Sequence, residues 1–203
     1  MTSSGAGVAW YDRNAPGLAD QYEGADFEAV HGWLLPLLEA LNDGPVLDIG
    51  AGSGRDAAWF AARGHSVVAV EPAASLRAEA QGLHPDQSIE WLDDRLPELE
   101  AVTARGQTFS LILVSAVWMH VLPAERERAF EILVSLLRPG GLLALTLRLG
   151  EPGTERGMSA VTADELLALG AAYGLELVHN GVSADALGRP EVAWGEVALR
   201  KPA

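Results

Sequence analysis

One short turn of the sequence carries residue types that bind charged ligands through the main chain. The stretch VLDIGAGSGR places Gly50, Gly52 and Gly54 directly after a short apolar run. Glycine adopts positive φ readily and has no Cβ to separate the backbone from a ligand. The helix expected after the turn begins with unpaired N–H groups and a partial positive charge. The turn is therefore suited to close contact with a carboxylate or a phosphate.

A carboxylate closes the next apolar run, where VVAVEP contains Glu71. An acid at the end of a second strand can accept hydrogen bonds from both ribose hydroxyls of an adenosine. Dinucleotide-binding folds combine such an acid with glycines spaced G-x-G-x-x-G. Here the spacing is G-x-G-x-G, with the third glycine one residue early. This spacing disfavours a nicotinamide oxidoreductase.

The elements that must position these residues alternate along the chain. Strands are predicted at VLDI, SVVAV, SIEWL, FSLILV, LLALTLR, LELVHN and EVALR, and helical or turn segments separate the first six. This alternation favours an α/β fold with a doubly wound, mostly parallel sheet and helices on both faces. The stretch between the last two strands lacks helical periodicity, which predicts an antiparallel strand at the C-terminal edge.

Neither an internal repeat nor a change of composition divides the sequence, so we expect one domain over residues 1–203. Residues 1–24 are predicted to form a flexible N-terminal arm or lid. Residues 25–42 are predicted to form an N-terminal helix that Pro36 kinks or divides. Residues 45–200 are predicted to form the sheet core.

Composition excludes several classes of site. The chain has no cysteine, which excludes disulfides, cysteine-ligated metals and a thiol nucleophile, and no set of carboxylates indicates another metal. Its formal net charge of -14 repels phosphate backbones and anionic lipid, so we expect neither nucleic acid nor a membrane as partner. No signal sequence or membrane-length apolar run is evident, and a cytoplasmic location is the expectation.

The ordered motifs resemble those of a known family. VLDIGAGSGRDAAWFAARGHSVVAVEP is similar to the first two motifs of the class I S-adenosylmethionine-dependent methyltransferases that act on small molecules. IEWLDDRLPEL, FSLILVSAVWMHV and LLRPGGLLALTLR continue the resemblance in the family's order, over about residues 45–148. The resemblance implies a Rossmann-like domain, S-adenosylmethionine as cofactor, methyl transfer to an O or N atom of a small molecule, and a monomer or homodimer. A non-catalytic S-adenosylmethionine-binding protein or partner subunit is the alternative.

The resemblance also implies where the cofactor binds. The backbone of the glycine turn would lie along its methionine half, Glu71 would hold the ribose, and Pro72 would lie against the adenine. Either Asp93 or Asp94 would accept from the adenine amino group, and the carbonyl of Ser115 would accept from the cofactor ammonium. The full set of implied contacts is Tyr11, Tyr22, Asp48, Gly50, Ala51, Gly52, Glu71, Pro72, Asp93, Asp94, Arg95, Leu96 and Ser115.

Some of these residues have a simpler interpretation. Asp48 would orient the glycine turn or reach the ammonium through water, or it only caps the turn. Glu71 could be a solvated acid at a strand end. In related enzymes the N-terminal arm folds over the cofactor, and this implies the contacts of Tyr11 and Tyr22, whose hydroxyls can meet polar groups.

Two residues are the candidates for the chemistry. His120, after the fourth predicted strand, can accept a proton near neutral pH. Structural packing behind the site is its alternative. Arg148 ends the fifth strand, and together with Arg156 it could clamp a carboxylate on the acceptor. Solvated loop charges are the alternative there. His31 is expected to be structural or exposed.

Overall fold

The computed structural model describes residues 3–41 and 44–203, where most residues belong to an α/β sandwich. Residues 1 and 2 of the predicted arm and residue 42 of the predicted first helix lie outside the described residues. The described part has a seven-stranded sheet in the order β3-β2-β1-β4-β5-β7-β6. Its strands are β1 Val46–Ile49, β2 Val67–Val70, β3 Ile89–Leu92, β4 Phe109–Ser115, β5 Leu137–Leu149, β6 Glu176–Ala184 and β7 Ala193–Arg200.

The sheet has the predicted mixture of strand directions. Strands β1 to β5 pair in parallel, and β7 pairs antiparallel with both β5 and β6. The antiparallel strand therefore lies one position inside the edge, between β5 and β6. Because two reversals restore the direction, β6 runs parallel to β5, and the segment joining β6 to β7 starts at the carboxyl edge of the sheet.

Helices cover both faces, which explains the unbroken apolar runs of the inner strands. The helices are α1 Ser3–Glu23, α2 Phe27–His31, α3 Leu35–Glu39, α4 Arg55–Ala61, α5 Ala74–Leu83, α6 Glu100–Thr103, α7 Arg126–Leu136 and α8 Ala163–Ala172. One core layer joins strand residues such as Ile112 to Phe130 of α7. The other joins Leu111 to Phe27 of α2 and Phe60 of α4. Every strand face in the centre of the sheet is thus buried.

The N-terminal segment differs from the expectation. Where a flexible arm was predicted, the structure has the 21-residue helix α1, with Pro16 inside it. Its small apolar face packs on the segment around α5, and Ala15 and Ala19 are buried there beside Leu76. Packing of an apolar face stabilises a helix more than local propensity does, so the glycines and the proline did not prevent it.

The segment after α1 is divided as its proline indicated. A turn over Gly32–Leu34 separates α2 from α3, and Pro36 lies in the first turn of α3, where its missing N–H costs nothing. Asp26 caps α2 by accepting from the backbone N of Ala29 at 2.7 Å. No helix within the described ranges is both long and apolar enough to cross a bilayer.

Candidate functional site

A cleft opens at the carboxyl ends of the parallel strands, where ligands bind in open α/β sheets. Its walls come from the glycine turn after β1, the segments after β2, β3 and β4, helix α1, and the connection between β6 and β7. The predicted site residues that line it are Tyr11, Tyr22, Gly50, Ala51, Gly52, Glu71, Pro72, Asp94, Arg95, Leu96, Ser115, His120 and Arg148. Asp48 and Asp93 do not line it.

The glycine turn has a conformation that other residues would not tolerate. Gly50 has a φ of 69°, and a Cβ there would lie 2.3 Å from Cγ2 of Val117. The backbone N of Gly50 and that of Ala51 both donate to the carbonyl oxygen of Val70, at 2.7 and 2.9 Å. These bonds tie the turn to the end of β2 and bring the next N–H, that of Gly52, toward Glu71.

Glu71 receives two main-chain hydrogen bonds at the edge of the cleft. Its Oε2 accepts from the N of Gly52 at 3.0 Å, and its Oε1 accepts from the N of Ala73 at 2.8 Å. Burial raises the pKa of the Glu71 carboxyl to about 7, although these two bonds oppose the rise. An ionised carboxylate has about four acceptor positions, so two remain for a ligand.

The two adjacent acids after β3 separate into different environments. Asp93 pairs with the guanidinium of Arg77 at 3.2 Å, and its side chain is 69% exposed. Asp94 lines the cleft and accepts from the backbone N of Arg95 at 2.8 Å and of Val102 at 3.0 Å. The structure therefore offers Asp94, and not Asp93, to a ligand in the cleft.

A buried polar network lies beneath the glycine turn. Oδ2 of Asp56 is 2.9 Å from Nε2 of His31, and Oδ1 of Asp56 accepts from Nε of Arg55 at 2.7 Å. Burial favours the protonated acid, but the interactions of Asp56 with His31 and Arg55 outweigh it and hold the pKa of Asp56 below its usual range. The structural role expected for His31 agrees with its complete burial. The role of Asp56 was not expected, because only the fold brings α2 against α4.

Asp48 lies within the sheet, close to that network. Burial, followed by the nearby charge of Asp56, raises the pKa of its carboxyl well above the ordinary value. Its Oδ2 is buried and has no hydrogen-bond partner within the described structure. Because Asp48 does not line the cleft, the structure shows no direct route from its carboxyl to a ligand there.

His120 and Tyr11 meet across the mouth of the cleft. The hydroxyl of Tyr11 lies 3.2 Å from Nε2 of His120, which belongs to a turn after β4. Burial lowers the pKa of His120 to about 4, and a hydrogen bond with the main chain of Arg156 opposes this shift. A bond that raises a histidine pKa is one that the ring donates, and we assign it to Nδ1, so that Nε2 accepts from Tyr11. His120 is thus neutral at neutral pH.

The ring of Tyr22 covers the glycine turn. Its Cδ2 lies 3.5 Å from the position that a Cβ on Gly52 would take, and its carbonyl oxygen accepts from Arg55 at 3.2 Å. Burial raises the pKa of both α1 tyrosines, so both hydroxyls stay protonated. One helix therefore supplies side chains to the glycine turn and to His120.

Arg148 and Arg156 line the same cleft, as the sequence predicted for a pair. Nη1 of Arg148 donates to the carbonyl oxygen of Glu151 at 2.8 Å. The guanidinium of Arg156 lies over the ring of Trp10, 4.6 Å from its centroid. Sequence reasoning missed another arginine of the cleft, Arg189, because the segment between β6 and β7 carries no recognisable motif.

Comparison with known proteins identifies the domain. Residues 46–141 match a family model described as a methyltransferase domain. An uncharacterised methyltransferase of Mycobacterium tuberculosis is 32% identical over 143 residues, which are 70% of this chain and 51% of that protein. A ubiquinone biosynthesis O-methyltransferase of Chelativorans sp. is 35% identical over 98 residues, 48% of this chain and 38% of that protein. The chain thus spans about half the length, or less, of these curated relatives.

Solved structures share the fold at low sequence identity. The 1,6-didemethyltoxoflavin-N1-methyltransferase of Burkholderia thailandensis, with bound 1,6-didemethyltoxoflavin and S-adenosylhomocysteine, aligns with a TM-score of 0.75 at 21% identity, over 98% of this chain and 88% of that chain. The [4+2]-cyclase SpnF aligns with a TM-score of 0.71 at 17% identity, over 100% and 97% of the two chains. Residues 46–141 therefore form a methyltransferase domain, and the resemblance to the class I S-adenosylmethionine-dependent methyltransferases is confirmed.

Proposed function

We propose that the chain transfers a methyl group from S-adenosylmethionine to an O or N atom of a small molecule. The observation that carries the proposal is the pairing of Glu71 with the main chain of Gly52 at the cleft. This contact places a carboxylate with free acceptor positions beside the half-buried backbone of the glycine turn, which lines the cleft. Such a pair suits a ligand that joins a sugar to an amino-acid tail, as this cofactor does.

Different residues of the cleft are proposed to bind different parts of the cofactor. The backbone of the glycine turn would lie along the methionine half, and the carbonyl of Ser115 would accept from its ammonium. Glu71 would accept from the ribose hydroxyls. The set proposed around the adenine is Pro72, Asp94, Arg95 and Leu96. Asp94 keeps acceptor positions after its two main-chain bonds, so it can still receive the adenine amino group.

S-adenosylmethionine supplies the reaction with a methyl group on a positively charged sulfur. His120 would take the acceptor's proton on Nε2 as the new bond to the methyl carbon forms and the carbon–sulfur bond breaks. To do so, it must exchange the Tyr11 hydroxyl for the acceptor. Its lowered pKa keeps Nε2 free of a proton at neutral pH, which makes it available but a weak base. Positioning would then account for most of the rate.

Two findings support a small acceptor. The cleft is lined by α1 and by the connection between β6 and β7, and the chain carries a formal net charge of -14. A nucleic acid would be repelled by that charge. One structural neighbour holds 1,6-didemethyltoxoflavin, and one curated relative is an O-methyltransferase of ubiquinone biosynthesis. Arg148 and Arg156 further favour an acceptor that carries a carboxylate.

Calorimetric titration with S-adenosylhomocysteine tests the cofactor site. Wild-type protein should bind it, Glu71→Ala should weaken binding by about 10- to 100-fold through the loss of charged hydrogen bonds, and Glu79→Ala should leave it unchanged. Glu79 is an exposed residue of α5 and serves as the matched control. Absence of binding by the wild-type protein would overturn the proposal.

A second assay separates transfer from binding alone. Formation of S-adenosylhomocysteine is measured with a panel of phenols, amines and their carboxylated analogues. Binding of the cofactor without turnover of any acceptor would favour the non-catalytic alternative, a cofactor-binding protein or partner subunit. The [4+2]-cyclase with this fold illustrates that the fold alone does not fix the reaction.

A further inference from the structure

The connection between β6 and β7 is organised around one buried carboxylate. Asp185, whose side chain is only 2% exposed, accepts from Nη2 of Arg189 at 2.6 Å and from its Nε at 2.9 Å. The same carboxylate accepts from Nε1 of Trp194 at 2.9 Å. One anion thus fixes a guanidinium plane and an indole ring on the segment that borders the cleft.

Strand register brings this segment against Arg148. In the antiparallel pairing, Trp194 of β7 lies opposite Arg148 of β5 and opposite Ser183 of β6. Residues that face each other in a ladder project from the same side of the sheet. Trp194, Arg148 and Arg189 therefore border one end of the cleft together.

The cleft is lined by Arg148, Arg156 and Arg189, among other residues. Burial raises the pKa of the Tyr22 hydroxyl, and the charges of Arg156 and Arg189 both oppose that rise. The carboxylate of Asp185 already neutralises the charge of the Arg189 guanidinium. Arg148 forms no ion pair within the described ranges, and Nε of Arg156 lies 3.4 Å from the exposed carboxylate of Glu155.

These contacts show which guanidinium nitrogens of the cleft arginines remain available to a ligand. Arg189 uses Nε and Nη2 on Asp185, so its Nη1 remains available. Among the described residues, Arg148 engages its Nη1 alone, on the carbonyl of Glu151. The surrounding surface is apolar and polarisable, with Met119, Met158 and the indole of Trp194. The site thus combines apolar side chains with cationic donors.

We propose that Trp194, Arg148 and Arg189 form the acceptor subsite, and that the acceptor is a planar aromatic acid. This inference rests on the proposed methyl transfer and names its substrate class. The indole would stack on the acceptor ring, and the arginines would bind its carboxylate. Asp185 is then a positioning residue, which sets the planes of two binding side chains.

Calorimetry on protein saturated with S-adenosylhomocysteine tests the proposal with three matched probes. These are 4-hydroxybenzoate, its neutral amide 4-hydroxybenzamide, and the non-planar acid trans-4-hydroxycyclohexanecarboxylate. The aromatic acid should bind at least about tenfold more tightly than either of the other two. Equal binding of the acid and the amide, or no binding of the acid at millimolar concentration, would overturn the proposal.

Variants assign the preference to particular residues. Arg189→Gln should reduce the preference for the acid over its amide by about tenfold, and Trp194→Leu should reduce the preference for the aromatic acid over the cyclohexane acid. Arg128→Gln is the control, because Arg128 pairs with Glu98 at the surface, away from the cleft. An unchanged acid preference in Arg189→Gln would refute the subsite.

Affinity for S-adenosylhomocysteine is measured in every variant. It should stay unchanged, which shows that the variants fold and that the cofactor site is intact. If the wild-type protein binds no S-adenosylhomocysteine, the proposed function itself fails, and the subsite fails with it. If the wild-type protein binds it but shows no acid preference, only the subsite is refuted.

Discussion

The proposed contact of Glu71 with the ribose predicts that cofactor binding depends on pH near neutrality. Burial raises that pKa to about 7 in the unliganded protein. Ribose hydroxyls donate hydrogen bonds, so they bind the ionised carboxylate better than the protonated acid. The ionised fraction falls from about nine-tenths at about pH 8 to about one-tenth at about pH 6. Affinity for S-adenosylhomocysteine should therefore fall about tenfold over this range, which equals about 1.4 kcal/mol.

Titration calorimetry at three pH values measures this change directly. The variant Glu71→Gln keeps the shape of the side chain but cannot ionise, so its affinity should be lower at about pH 8 and nearly flat down to about pH 6. Glu79→Gln should retain the wild-type slope, because Glu79 is exposed and does not line the cleft. A flat wild-type profile, or an equal slope in Glu71→Gln, would refute the assignment of Glu71 to the ribose.

Three further changes test other parts of the site. Gly50→Ala should cost at least about 2 kcal/mol in urea unfolding and impair cofactor binding, because its Cβ would meet Val117; Gly17→Ala, in open space on α1, should instead stabilise the protein by about 0.5–1 kcal/mol. Tyr11→Phe should raise the pKa of His120 seen by NMR, because it removes a donor to the neutral ring; an unchanged pKa would contradict the contact. Asp56→Ala should destabilise the fold by about 3–5 kcal/mol, and a loss below about 1 kcal/mol would contradict its role in the buried network.

Features that depend on a few consecutive residues were predictable from the sequence. The glycine turn and the acid at the end of β2 follow from local backbone geometry, and both lie at the cleft. The divided helix at Pro36 also has a local cause. The sequence was sufficient to predict these features because the residues that determine each of them are the residues that form it.

Features that depend on packing were not predictable. Helix α1 contains Pro16 and several glycines, and its stability comes from the surface of α5, which the local sequence does not report. Asp93 and Asp94 could not be separated, since successive residues of an extended chain point to opposite sides and the sequence does not say which side faces the cleft. The Asp185 cluster was missed because its partners meet only after β7 enters the sheet beside β5.

Helix α1 contacts both the glycine turn and the turn that carries His120. The ring of Tyr22 lies over the glycine turn and the hydroxyl of Tyr11 contacts His120, and both side chains belong to the same helix. A ligand that moves α1 at one of these contacts also moves it at the other. The free energies of cofactor binding and acceptor binding are therefore coupled. Thermodynamic reciprocity then requires that whatever factor the cofactor adds to the acceptor's affinity, the acceptor adds to the cofactor's.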